Sequence, residues 1–99
     1  MIANRRTFTA KNGQSDAALD LLKIEARTMS WPHGLRMYSS SISQFSLVSF
    51  EAEFDTLAQY ETFWHEWNSR STTPAFMAQW WQLVESGGKN EIFTVDVIK

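Results

Sequence analysis

The sequence contains no cysteine and only four glycines, two prolines and two histidines in 99 residues. Without cysteine there is no disulfide, no thiolate nucleophile and no thiolate metal ligand, and two histidines leave few ligands for a zinc centre. No apolar run is long enough for a membrane span or a signal peptide, so we expect a cytoplasmic protein with no membrane partner. The net charge of -2 lacks the basic surplus typical of nucleic-acid-binding proteins.

Aromatic residues, by contrast, are abundant. The chain has five tryptophans, seven phenylalanines and two tyrosines. Its length fits one domain, residues 1–99, with a single hydrophobic core. Large aromatic side chains therefore have to be accommodated in or around one small core.

Hydrophobic periodicity divides the chain into alternating strands and helices, without a linker, repeat or low-complexity tract. A period of two predicts strands over 2–10, 35–43, 45–54 and 91–98. Helical periodicity predicts helices over 15–30 and 55–69, and a further helix from Thr72 to Gly87. Right-handed crossovers then give an α+β, ferredoxin-like fold of order βαββ(αα)β, a four-stranded antiparallel sheet with the helices on one face.

Polar residues mark the expected starts of the helices. Ser15, Asp55 and Thr72 each have an oxygen that can accept a hydrogen bond from a free backbone amide, and Pro74 suits the first helical turn. The strands over 35–43 and 45–54 are expected to meet in a tight antiparallel turn at Ser43 and Gln44.

The strand over 45–54 is partly apolar on both faces. Val48 and Phe50 alternate with Phe45 and Leu47, so both faces need a cover. Helices on one side cover one face, and the economical cover for the other is the sheet of a second copy of the chain. The pattern thus predicts a homodimer.

The two helices before the last strand carry an aromatic stripe that permits two interpretations. Its members either fill the core or line a pocket for a small apolar or aromatic ligand. The pocket interpretation predicts these lining residues: Tyr60, Phe63, Trp64, Trp67, Phe76, Trp80 and Trp81.

Glu25 lies on the apolar arc of the first helix, between Leu21 and Ala18. It can bend out to water, pair with Arg6 or Arg36 on the strands, or act as a proton acceptor at the mouth of a cavity. His65 falls on the polar side of its helix, and His33 lies in a loop. Neither histidine is expected to mark a site.

An RNA-binding domain is a competing interpretation because it shares the order βαββαβ. The segment 45–50 resembles the third-strand motif of such domains at Phe45, Val48 and Phe50. The motif's basic residue and both of its glycines are replaced, and Asn4 stands where a stacking aromatic is required. We therefore expect no nucleic-acid partner.

The helix pair after the hairpin, with Tyr60-Glu61 and its tryptophans, resembles the dimeric α/β-barrel superfamily, including antibiotic-biosynthesis-type monooxygenases and NIPSNAP-like proteins. The resemblance spans nearly the whole chain and speaks for fold and dimerisation more than for activity. It implies that two protomers stack their sheets into a barrel, and that each keeps a small-molecule cavity between sheet and helices.

The first strand is also similar to that of the haem-degrading branch, where an asparagine in the place of Asn4 touches the substrate. Trp64 or Trp67 stands for that branch's tryptophan. Its iron-ligating histidine follows a phenylalanine by four residues, whereas here Phe76 is followed by Trp80. Haem is accordingly disfavoured, and no cofactor is expected.

A second branch implies cofactor-independent monooxygenation of an aromatic or polyketide-like substrate, in which the pocket stabilises a substrate anion that itself reacts with oxygen. On this resemblance the candidate catalytic residues are Asn4, Tyr38, Trp64 and Trp67, with Glu25 as a further candidate. The alternative is a non-catalytic homodimer or partner-binding module whose aromatic residues only complete a core or a contact surface.

Overall fold

A computed structural model describes residues 1–99 and contains four strands and three helices. In chain order they are β1 Ile2–Thr9, α1 Ser15–Ala26, β2 Leu35–Ser39, β3 Leu47–Phe54, α2 Leu57–Asn68, α3 Thr73–Leu83 and β4 Lys89–Thr94. This is the order predicted from the sequence, including the helix pair before the last strand. None of the helices has the length and apolar character that a bilayer crossing requires.

The strands form one antiparallel sheet in the order β2-β3-β1-β4. Arg6 of β1 lies opposite Phe50 of β3, and Asn4 lies opposite Ala52. Since directly paired residues share a face of the sheet, the even-numbered residues of both strands point to one side. The helices pack on that side, which we call the helix face, and the opposite side is the outer face.

The connection from β2 to β3 is longer than the predicted tight turn. β2 ends at Ser39 and β3 begins at Leu47. The Ser40 hydroxyl donates to the Gln44 carbonyl at 2.7 Å and accepts from the Leu47 amide at 2.9 Å. These local hydrogen bonds replace ladder bonds in the serine-rich stretch, which ends the strand early.

None of the three predicted helix caps makes a capping hydrogen bond, and Thr72 before α3 is one of them. Ser15 makes no capping bond, because α1 follows Gln14 without a side-chain cap. At α2 the cap is Thr56, whose hydroxyl accepts from the Gln59 amide at 3.1 Å, while Asp55 pairs with His33 at 2.7 Å. A threonine one residue later thus supplies the bond expected of the aspartate.

The other element ends also differ from the sequence prediction. α1 stops at Ala26, whose carbonyl accepts from the Met29 amide at 3.1 Å and from the Trp31 indole at 3.0 Å. α3 begins at Thr73 with Pro74 in its first turn, as predicted, but ends at Leu83, well before the glycines. β4 begins earlier than predicted and ends at Thr94 because its ladder partner β1 starts at Ile2.

The core lies between the helix face and the helices, and its centre is fully enclosed. Val48, Phe54 and Val84 are at most 1% exposed. A single β-bridge joins Ala10 to Val84, so the end of α3 is held against the end of β1. Helical periodicity also predicts Ala17 and Ile24 on the apolar arc of the first helix, but both are exposed.

Candidate functional site

A cavity of about 280 Å³ lies between the sheet and the helix layer. Thirteen of its sixteen lining residues are hydrophobic, which is the composition of a site for a mainly apolar ligand. The apolar lining consists of Phe8, Leu22, Ala26, Met29, Trp31, Leu35, Phe50, Trp64, Trp67, Phe76, Met77, Trp80 and Trp81. The three remaining members are Arg6, Glu25 and Asn68.

Aromatic side chains of α2 and α3 form one wall of the cavity. Trp64 and Trp67 meet edge to face with ring centroids 5.8 Å apart, and Phe76 stacks on Trp80 at 5.9 Å. Trp80 is 2% exposed whereas Trp81 is 50% exposed, so the wall runs from the closed interior to the surface. Such offset and edge contacts hold the rings in fixed orientations.

Asn4 lies beneath this wall and is completely buried. Its Nδ2 donates to Asn90 Oδ1 at 2.6 Å and to the Glu91 carbonyl at 3.0 Å. Its Oδ1 accepts from Trp64 Nε1 at 3.3 Å and from Arg6 Nε at 3.4 Å. Asn4 does not line the cavity, contrary to the sequence prediction, because all of its polar atoms are engaged with neighbouring side chains and backbone. It holds two residues that do line the cavity.

Arg6 projects from β1 into the cavity. Its guanidinium carbon lies 3.9 Å from the centroid of the Trp64 ring, a close cation–π contact. Its Nη2 donates to the Tyr60 hydroxyl at 3.4 Å. From the sequence, Arg6 is predicted only as a partner for Glu25. Arg6 and Phe8 are two residues apart on β1 and therefore lie on the same face. This spacing is the signal that could have assigned Arg6 to the cavity.

Glu25 also lines the cavity, and its side chain is 15% exposed. Its Oε2 accepts from Trp67 Nε1 at 2.7 Å and lies 4.0 Å from Nη1 of Arg70. Neither strand arginine is its partner: Arg6 is engaged elsewhere, and Arg36 points to the outer face because it pairs with Glu51 in the ladder. The carboxylate is therefore fixed by an indole and by an arginine just after α2.

Three other predicted residues lie outside the cavity. Tyr38 is on the outer face, because it lies opposite Ser49 while its neighbour Met37 faces the helices. Tyr60 and Phe63 belong to α2 but pack against Phe54, with ring centroids 5.6 and 5.3 Å away. Phe54 and the cavity are on the same face, but these two rings fill the core beside the cavity rather than line it.

The outer face carries an ion pair between Arg5 and Glu51 at 2.7 Å. The hydrogen bond from Arg5 to Glu51 raises the pKa of the guanidinium above its usual value.

Val48 and Phe50 face the helices, and Phe45 lies in the loop before β3. The three positions that resembled an RNA-binding motif therefore do not form an exposed stacking platform on this face.

The cavity does not have the iron-ligating histidine of the haem-degrading branch. No lining residue is histidine, cysteine or tyrosine, and Trp80, at the place expected for an iron ligand, packs against Phe8 with centroids 5.0 Å apart. His33 pairs with Asp55 at the surface and His65 is exposed on α2. No group of three or more histidine, cysteine, aspartate or glutamate side chains is placed to hold a metal ion.

Comparison with known proteins rests on structure. No protein-family model matches the sequence, and no curated protein matches it. A NIPSNAP domain protein from Burkholderia xenovorans superposes with a TM-score of 0.83 at 12% identity, over 100% of this chain and 98% of that one. A NIPSNAP family protein of unknown function from Agrobacterium tumefaciens has a TM-score of 0.81 at 20% identity, over 94% and 86%.

A candidate antibiotic biosynthesis monooxygenase from Chloroflexus aurantiacus superposes with a TM-score of 0.70 at 15% identity, over 99% of this chain and 94% of that one. Identities this low indicate a shared fold and leave the activity open. The chain thus has the ferredoxin-like fold of NIPSNAP family and antibiotic biosynthesis monooxygenase-like proteins, as the resemblance of its sequence indicated.

Proposed function

We propose that this protein is a homodimer in which each protomer binds a small, flat, mainly apolar molecule between its sheet and its helices. The observation that carries the proposal is the cavity of about 280 Å³ with an aromatic wall. Its volume is close to the lower end, about 300 Å³, of the usual range for ligand pockets, which suits a ligand of two or three fused rings. Loss of the indole rings' contact with water on binding would supply most of the affinity.

If the protein is an enzyme, cofactor-independent monooxygenation is the reaction that suits this site. A ring carbon bearing two hydrogens loses a proton to a base, and the resulting anion supplies electrons to O2. One oxygen atom becomes the new carbonyl oxygen and the other leaves as water. Glu25 is the carboxylate in the cavity that can accept the proton, and Trp64 and Trp67 form the wall that excludes solvent. Asn4 contributes by positioning Trp64 and Arg6, and Tyr38 has no part in this cavity.

The binding site is tested by filling the cavity with a side chain. Ala26 of α1 lines the cavity, so Ala26→Leu places three additional carbon atoms in the space of the ligand. Titration with 2-naphthol, followed by tryptophan fluorescence, should show affinity reduced at least about tenfold, the effect of about 1.4 kcal/mol. Ala17→Leu is the matched control, because Ala17 is exposed on the same helix. Equal affinity in both variants would place the binding site elsewhere, and no response in the wild-type protein would reject the function.

The dimer rests on a separate set of side chains. Tyr38 and Phe93 are 42% and 40% exposed on the outer face, and Ile42 and Phe45 in the β2–β3 connection are 99% and 90% exposed. Tyr38 on β2 and Phe93 on β4 lie at opposite edges of the sheet, and their burial against a second copy would remove apolar surface from water on either side of the Arg5–Glu51 ion pair. The outer face is the one that the resemblance to dimeric barrels assigns to the partner sheet.

Light scattering on the wild-type protein should give the mass of two chains at micromolar concentration. Tyr38→Glu introduces a charge into the proposed interface and should yield a monomer. Ile24→Glu is the control, because Ile24 is 62% exposed on α1 at the other side of the molecule. A wild-type monomer, or a Tyr38→Glu variant that remains dimeric, would contradict the arrangement.

A non-catalytic partner-binding module is the second candidate, favoured by the same exposed pair, Ile42 and Phe45. Such a module would use the β2–β3 connection for contact with another protein and would need no ligand in the cavity. The Ala26→Leu titration separates the two candidates, since a partner-binding role predicts no saturable response to 2-naphthol.

A further inference from the structure

The two consecutive arginines of β1 have different electrostatic surroundings. Arg5, on the outer face, is paired with the Glu51 carboxylate at 2.7 Å. Arg6, in the cavity, has no carboxylate within 4.0 Å, although Glu25 lines the same cavity. A half-buried guanidinium is normally compensated by an acidic group, because burial of an unpaired charge is unfavourable. The cavity thus contains a positive charge that the protein leaves without a counter-ion.

The protein partners of Arg6 are neutral and weak. Its hydrogen bonds to Asn4 Oδ1 and the Tyr60 hydroxyl are both 3.4 Å long, beyond the usual range for such bonds. Its Nη1 makes no hydrogen bond within the protein. The guanidinium nevertheless has a defined plane, because it packs on the Trp64 ring at 3.9 Å. A fixed, planar group with free donors is suited to a carboxylate, which can accept two parallel hydrogen bonds from it.

Phe8, two residues after Arg6 on β1, shows where the rest of such a ligand would lie. Phe8 lines the cavity about 7 Å from Arg6 along β1, the spacing of two strand residues. Its ring contacts Trp80 edge to face at 5.0 Å, so the apolar part of the cavity begins beside the guanidinium. Glu25 would repel an acid group, and its Oε2 is held by Trp67 at 2.7 Å. The two charges therefore favour one orientation of an acidic ligand.

We propose that the ligand is a flat aromatic acid, whose carboxylate is bound by Arg6 and whose rings lie toward Phe8 and Trp80. This inference rests on the proposed function, since it requires the cavity to be the binding site. It adds the charge of the ligand and its orientation, which the apolar lining by itself does not specify. Arg6 is then a specificity-determining residue that selects acids over neutral molecules of the same shape.

The test compares two ligands of nearly equal shape, 2-naphthoate and 2-naphthamide, by isothermal titration calorimetry on the wild-type protein. The carboxylate should bind about 10- to 100-fold more tightly, the usual range for charge-assisted hydrogen bonds. In Arg6→Gln the two affinities should become equal, and in Arg6→Lys the preference should be reduced and retained in part. Arg27→Gln is the control, because it removes one positive charge from an exposed position directly after α1 and should leave the preference unchanged.

The outcomes separate this inference from the function on which it rests. Equal wild-type affinities for 2-naphthoate and 2-naphthamide would overturn the carboxylate assignment and leave the cavity as a site for neutral molecules. Binding of neither compound would overturn both. Loss of the preference in Arg27→Gln would show that net charge, and not Arg6, causes it. The ratio of the wild-type affinities for 2-naphthoate and 2-naphthamide tests the carboxylate assignment even if Arg6→Gln is unstable.

Discussion

Replacement of the buried Asn4 by alanine should destabilise the protein by about 2 to 4 kcal/mol. The side chain is 0% exposed and connects β4 to two residues of the cavity wall. The largest contribution comes from Trp64 Nε1, an indole donor in a buried residue that would lose its acceptor, at about 1 to 3 kcal/mol. The Glu91 carbonyl loses a donor, and the vacated volume adds a smaller packing term.

Urea unfolding followed by circular dichroism, at one fixed protein concentration, measures this loss as a shift of the midpoint. Asn90→Ala is the comparison, because Asn90 is exposed and water can replace its hydrogen bonds. We expect about 1 kcal/mol or less for that variant. A loss below about 0.5 kcal/mol in Asn4→Ala, the level of an ordinary surface substitution, would refute the assignment of Asn4 as the support of Trp64.

Two further predictions concern the backbone. Thr56→Ala removes the hydroxyl that caps α2 and should lower the free energy of unfolding by about 1 kcal/mol, whereas Ser15→Ala, at a residue with no capping bond, should have almost no effect. Equal effects in urea unfolding would contradict this assignment of the caps. Gly88→Ala should destabilise by more than the roughly 1 kcal/mol expected for Gly13→Ala. Both glycines have positive φ, but a Cβ at Gly88 would lie 2.7 Å from a backbone oxygen of β1, while at Gly13 the space is open. Similar melting temperatures for the two variants would exclude that clash.

The order of elements followed from sequence because its determinants are local. The alternation in 2–10 and 45–54 and the aromatic stripe of α2 and α3 are properties of neighbouring residues, and they led to the correct sheet and helix layer. The ends of the elements were less well predicted. Whether Asp55 or Thr56 caps α2 depends on His33, which is distant in sequence and pairs with Asp55. The length of β2 depends on hydrogen bonds within a serine-rich loop that competes with the strand ladder.

The sequence by itself determined that aromatic residues gather on one side of the sheet, because helical and strand periods put side chains on definite faces. Of its two interpretations of the aromatic stripe, core or pocket, the pocket interpretation included Trp64, Trp67, Phe76, Trp80 and Trp81, which line the cavity.

Only the tertiary structure decided which polar groups share the cavity. Strand register places Arg6 in the cavity and Tyr38 on the outer face, helix packing turns Glu25 toward Trp67, and the contacts of Asn4 enclose it below the wall. Such contacts join residues up to 86 positions apart. A local pattern gives the face of β1 on which Arg6 lies but not the side chains that it contacts there. The charge that the site presents to a ligand therefore depends on the folded arrangement of the whole chain.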